Sequence, residues 1–219
     1  MRTSALLRTA DTTILIDAGP DFRAQALAAR LTHLDAVLLT HSHFDHVAGL
    51  DDLRPLCFHR GCVPVYGSDR TLSEVRERFA YAFNETSAGS TRPSLDLRPT
   101  DRPFLVGDLA IRPFDVLHGT WTITGYRVGG LGYVTDASSI PPASWAMLKD
   151  LDVLVLNALR HEPHPTHYTL AQALDVIAAL GPRRAYLVHM THGIDHATGT
   201  SLPPGVEFAY DGLEVTVEL

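Results

Sequence analysis

Cysteine is scarce in this chain of 219 residues: there are two, Cys57 and Cys62. That count excludes a disulfide framework and leaves the pair read as two ordinary reduced thiols. Long hydrophobic runs are missing too. No window approaches the roughly 20 consecutive apolar residues of a membrane helix, so no membrane partner is expected. The apolar stretch after Met1 and Arg2 is too short for a secretory leader, and the expected compartment is the cytoplasm. Excess positive charge is also absent. The formal net charge is −7, which disfavours non-specific nucleic-acid binding while leaving local basic patches open. No internal repeat is present. With 45% hydrophobic and 20% charged residues, the chain has the make-up of a soluble globular protein. Its length fits a single domain over residues 1–219, and nothing in it sets an oligomeric state.

What the chain does have is alternation. Short β-rich runs are expected at residues 12–16, 36–40, 63–66, 110–114, 123–128, 132–135, 153–156 and 185–188. Helical spacing falls at 21–30, 71–83, 142–148 and 170–180. The last of these is well signed, with Thr169 and Gln172 as a capping box and Gly181-Pro182 as its stop. A terminal hairpin is expected from 206–210 and 213–217 around Asp211-Gly212. Strands with helices interspersed along the whole length argue an α/β layered fold. Residues 85–102, rich in Ser, Thr, Pro, Gly and Asp, read equally as a surface loop or as a lid over the site.

The chain also has 12 histidines, and their clustering carries the functional reading. In Thr40-His41-Ser42-His43-Phe44-Asp45-His46, three imidazoles and a carboxylate fall within six residues directly after the apolar run Ala36-Val37-Leu38-Leu39. Imidazole and carboxylate suit Zn²⁺ and its first-row neighbours. His118 follows Phe114-Asp115-Val116-Leu117, Asp136 ends Tyr133-Val134-Thr135, and His189 ends Tyr186-Leu187-Val188. Each alone is an ordinary surface or capping residue. Together they point to a shared site, because sites in layered α/β folds gather at strand ends.

HxHxDH followed by His, Asp and His at later strand ends resembles the metallo-β-lactamase superfamily. Within it, several stretches resemble the phosphodiesterase branch that contains the phosphoribosyl cyclic phosphodiesterase of phosphonate breakdown. These are Leu38 to Leu50 with Leu53-Arg54, Gly132-Tyr133-Val134-Thr135-Asp136, His167 ahead of its helix, Tyr186 to His192, and Tyr210-Asp211-Gly212-Leu213-Glu214-Val215. Ribonuclease Z shares the metal motifs more distantly. The resemblance implies a four-layer αββα sandwich and two divalent metal ions. Position by position, it implies one ion held by His41, His43 and His118, another by Asp45, His46 and His189, and Asp136 as the bridge. It likens Asp17, in the Asp17-Ala18-Gly19 turn, to an aspartate that supports the ligands. Zn²⁺, Mn²⁺ and Fe²⁺ are all compatible with these donors.

The chemistry implied is hydrolysis of a small phosphodiester, cyclic or nucleotide-like, by a hydroxide bridging the two metals. His167 is the expected proton donor to the leaving group, and Asp45 stands among the catalytic residues as well as the ligands. Arg54, Arg160, His161 and His164 are weaker candidates for substrate contact, with Arg54 equally a structural partner for Asp51 or Asp52. The alternatives are a nuclease on RNA or DNA ends, a thioester or lactam hydrolase, and a metal-binding module without turnover. Branch members often open with a cysteine-bearing segment that holds a structural zinc together with a histidine three residues beyond the last ligand. Here His192 stands at that place without those cysteines. Both a lost zinc site and a late start of the chain stay open, and Cys57, His59 and Cys62 gain little support as substitutes.

Overall fold

Apolar runs become the central strands of two mixed sheets. The computed structural model describes residues 1–84, 91–196 and 202–218, and the chain resolves into two compact units, Met1–Leu109 and Ala110–Leu219. Among the described residues, no helix is long and apolar enough to cross a membrane.

The first unit opens with β1 (Ala5–Arg8) and β2 (Thr13–Ile16), followed by α1 (Phe22–Ala28), β3 (Ala36–Leu38) and α2 (Phe44–Val47). A 3-10 segment (Ala48–Leu53) leads into α3 (Arg54–Arg60), β4 (Val63–Gly67), α4 (Asp69–Arg78), α5 (Ala80–Phe83), β5 (Leu95–Pro99) and β6 (Phe104–Val106). Its sheet has the order β1-β2-β3-β4-β5. β1 is antiparallel to β2, and the pairs from β2 to β5 are parallel. Every residue of β2 and β3 is buried, as expected of parallel strands covered on both faces. The core includes Leu15, Phe22, Val37, Leu39, Leu50, Leu53, Val65 and Val75.

The second sheet runs β12-β11-β10-β9-β8-β7-β6. Its further strands are β7 (Leu109–His118), β8 (Trp121–Val128), β9 (Leu131–Val134), β10 (Val153–Asn157), β11 (Arg184–Val188) and β12 (Val206–Phe208), with α6 (Pro142–Trp145) and α7 (Leu170–Leu180) between them. β7, β8 and β9 pair antiparallel, and β9 to β12 pair parallel. α7 keeps its expected bounds because both ends are signed. Thr169 and Gln172 complete the capping box, and Gly181 takes the left-handed conformation at φ 61°. The second unit's core gathers Val116, Val134, Leu154, Leu156, Ala173 and Leu187.

Three expectations change. The helix read over 71–83 begins earlier, capped by Ser68, and breaks at Phe79 (φ −106°, ψ 34°) into α4 and α5. Of residues 85–102, 85–90 lie outside the described residues, while Leu95–Pro99 forms β5, parallel to β4. The tail is not a hairpin: β12 pairs parallel with β11, and residues 213–217 form no strand. The end of the chain is engaged elsewhere. Arg184 Nη2 donates to Thr216 O at 2.6 Å, and Gly130 N donates to Glu218 O at 2.8 Å.

Candidate metal centre

In the first unit, the Asp17-Ala18-Gly19 turn after β2 and the loop after β3 are fastened together by backbone. Ala18 N donates to His46 O and Gly49 N donates to Ala18 O, each at 2.8 Å. Two glycines make this approach feasible. A Cβ on Gly19 would sit 2.2 Å from Asp45 O, and one on Gly49 would sit 2.2 Å from Gly19 O.

The turn delivers Asp17, fully buried and in the left-handed region at φ 60°. Its carboxylate accepts from Thr40 N at 2.8 Å and from the Thr40 hydroxyl at 2.7 Å. It also lies 2.7 Å from His46 Nδ1. Hydrogen positions follow from that network. A carboxylate only accepts, so Nδ1 of His46 carries the proton and Nε2 keeps its lone pair. Thr40 spends its hydroxyl proton on Asp17, so its 3.1 Å contact with His41 Nδ1 uses a proton from that ring. His41 is then also a lone-pair donor at Nε2, the atom found 2.9 Å from His43 Nδ1. Asp45 Oδ2 lies 3.4 Å from His46 Nε2. The first unit thus pairs His41 with His43 and Asp45 with His46.

The second unit assembles its own group. His118 Nδ1 lies 2.8 Å from Asp136 O and 2.9 Å from Thr166 O. Two carbonyl acceptors require that nitrogen to carry the proton, which leaves Nε2 with its lone pair. Asp136 (φ 57°) and His189 (φ 57°) both sit in the left-handed region, one just after β9 and the other just after β11. Asp136 Oδ1 lies 2.9 Å from His167 Nε2 and 3.1 Å from His189 Nε2, and Oδ2 accepts from Thr135 Oγ1 at 2.6 Å. The His167 ring stacks on His189 at 5.1 Å between centroids and meets His118 edge-on at 4.7 Å. His118, Asp136 and His167 could themselves hold an ion.

The weaker candidates have partners of their own. His164 Nδ1 lies 3.1 Å from His167 Nδ1. Desolvation, then repulsion from His167, Arg160 and His118, holds His164 below the usual imidazole range. Arg54 pairs with Asp51 at 2.9 Å. Arg160 donates to the backbone carbonyls of Glu162 and Pro163, so its guanidinium ties its own loop. His161 and His192 are exposed. Among the thiols, Cys57 is buried and Cys62 exposed, both free.

Sequence reasoning missed the residues that hold these groups in place. Thr40 and Thr135 precede ligand candidates, and nothing in their type marks them. Asn157, fully buried, accepts from Ala137 N at 2.7 Å and donates to Ala137 O at 3.0 Å, which locks the segment after Asp136. The available signal was an amide closing the apolar run Val153-Leu154-Val155-Leu156.

Donors directed in this way fit divalent metal ions. Neutral imidazoles are fixed by carboxylate, hydroxyl or carbonyl on one nitrogen and present the other, alongside Asp45 and Asp136. Comparison with known proteins agrees. Residues 12–190 match the family model described as a beta-lactamase superfamily domain. The crystal structure of a diphosphatase from the PhnP family superposes with a TM-score of 0.90 at 38% identity, covering 100% of this chain and 86% of that one. An octanoyltransferase of Porphyromonas gingivalis is 42% identical over 224 residues, which is 99% of this chain and 45% of that protein. A ribonuclease Z of Methanopyrus kandleri is 28% identical over 130 residues, 56% of this chain and 42% of that protein. The chain spans less than half the length of these curated relatives. It belongs to the beta-lactamase superfamily, and within it to the PhnP family.

Proposed function

We propose that the chain is a two-metal hydrolase of small phosphodiesters, cyclic or nucleotide-like. The observation that carries this reading is His167. The ligand set expected from the resemblance is complete without it, yet its Nε2 lies 2.9 Å from Asp136 Oδ1 and its ring packs against His118 and His189. A further histidine beside the ligands fits a proton donor. The PhnP-family diphosphatase, which covers the whole chain at 38% identity, supports chemistry at phosphorus.

In this reading His41, His43 and His118 hold one ion, Asp45, His46 and His189 the other, and Asp136 serves both. Bound there, Zn²⁺ or Mn²⁺ would supply Lewis-acid stabilisation of charge on phosphorus and a water acidified for attack. Asp17 and Thr40 orient His46 and His41. Thr135 and Asn157 hold Asp136 and the segment beyond it. As the P–O bond to the leaving group breaks, His167 gives that oxygen its proton, and water supplies the new P–O bond. Two free thiols accord with a cytoplasmic protein. A second reading, a nuclease on RNA ends, draws on the ribonuclease Z relative and is opposed by the net charge of −7.

The experiment compares leaving groups. A positioned acid contributes about 10²–10⁴-fold where the leaving group is a poor one, and a nitrophenolate departs unaided. His167→Ala is expected to slow a nucleotide phosphodiester far more than bis-p-nitrophenyl phosphate, with metal content unchanged. Equal losses on both substrates remove His167 from the donor role, and loss of metal makes it a ligand instead. Wild-type turnover of labelled RNA in preference to both small substrates would favour the nuclease.

A further inference from the structure

Ser42 lies between His41 and His43 and is fully buried. A buried hydroxyl needs a partner, and a serine in a loop usually finds one in nearby backbone. Ser42 instead donates to Glu74 Oε2 on α4, 32 residues further on. Glu74 is itself held from both sides along its helix. Arg70 Nε donates to Oε1 at 3.0 Å and Arg78 Nη2 to Oε2 at 3.2 Å. The Ser42 hydrogen bond above all, and the two arginines after it, keep this carboxyl below the usual carboxylate range. α4 is a firm support: Leu72 and Val75 are in the core, and the Ser68 side chain caps its first turn. The Arg78 guanidinium also stands 5.7 Å from the centre of the Phe44 ring, on the residue after His43.

Successive side chains of an extended segment point to opposite sides. His41 Nε2 and His43 Nδ1 come within 2.9 Å of one another, while the residue between them is tied to α4. Fastening Ser42 therefore sets the direction in which both imidazoles point. Exposed Arg–Glu pairs along a helix contribute little stability by themselves, so the consequence of this arrangement lies in the loop it holds.

We propose that Glu74 is a positioning residue for the metal ligands His41 and His43, acting through the Ser42 hydroxyl. The inference rests on the two-metal reading above. It sets the metal affinity of the His41–His43 pair by a group that touches neither imidazole. Loss of a ligand's supporting partner costs about 10–100-fold in metal affinity, and a support acting at one remove belongs near the lower end.

The test is Zn²⁺ affinity by chelator competition on the full chain, for wild type, Glu74→Gln, Ser42→Ala and the double variant, with melting of the chelator-treated proteins alongside. Each single variant is expected to weaken the tighter-affected Zn²⁺ site by about tenfold, and the double variant by no more than the worse single one. Unchanged affinity in Glu74→Gln overturns the proposal, even if the metal-free protein melts lower, because that result describes a purely structural ion pair. Losses that multiply in the double variant overturn the route through Ser42. Should the serine variant fail to fold, Glu74→Gln, which keeps the side-chain volume, still decides. A wild type that binds no Zn²⁺ would sink the two-metal reading itself, an outcome distinct from a wild type that binds while the variants match it.

Discussion

Asp17, Asp136 and His189 are three different strand-end residues with one backbone habit, a positive φ of 57–60°. Such a conformation is uncommon outside glycine, and Asn, Asp and His are the side chains enriched in it. It costs on the order of 1–3 kcal/mol and persists where the surroundings hold it. Here it turns each side chain out of its strand and into a polar cluster. Asp17→Asn tests what the carboxylate adds, because asparagine tolerates the same backbone. The variant replaces one of the acceptor oxygens that serve Thr40 N, Thr40 Oγ1 and His46 Nδ1 with a donor. We expect a stability loss of about 1–3 kcal/mol and metal affinity weakened about 10–100-fold, measured by denaturant melts and chelator competition. Wild-type values in both would show that Asp17 is a plain turn residue.

At the scale of elements, the turn after β2 and the loop after β3 work as one piece because Gly19 and Gly49 leave room for backbone contact. Gly49→Ala puts a methyl 2.2 Å from Gly19 O and 2.6 Å from Phe22 Cβ. Neither neighbour is a flexible tip, so the cost is about 1–3 kcal/mol, or a Tm lower by several degrees in differential scanning calorimetry at this chain length. An unchanged Tm would show that the turn and loop are not packed as described. Elements with signed ends were readable in advance, as α7 shows with Thr169 and Gly181. Short elements were not: α2 has four residues, and β1 and β5 have weak or mixed patterns that only a sheet partner stabilises. The tail misled for a related reason. Asp211-Gly212 is a good hairpin signal, yet β12 bonds to β11 and the following residues are held by Arg184 and Gly130. The candidate ligand motif was visible in the sequence because its donors are contiguous and chemically distinctive. Thr40, Thr135, Asn157 and Glu74 were not, because a supporting hydrogen bond leaves no mark on residue type.

For the whole molecule, the ligand candidates are divided along the chain. His41, His43, Asp45 and His46 belong to the first compact unit, and His118, Asp136 and His189 to the second. Each unit has its own core, and neither alone has the full set of candidates. The direct measurement is elemental analysis of metal-replete wild type and Asp136→Ala, with protein quantified in the same samples. We expect about two ions per chain in the wild type, and loosening of both together in the variant if Asp136 serves both as proposed. One ion or none in the wild type, or a variant that keeps one ion at wild-type affinity, would overturn the two-metal proposal.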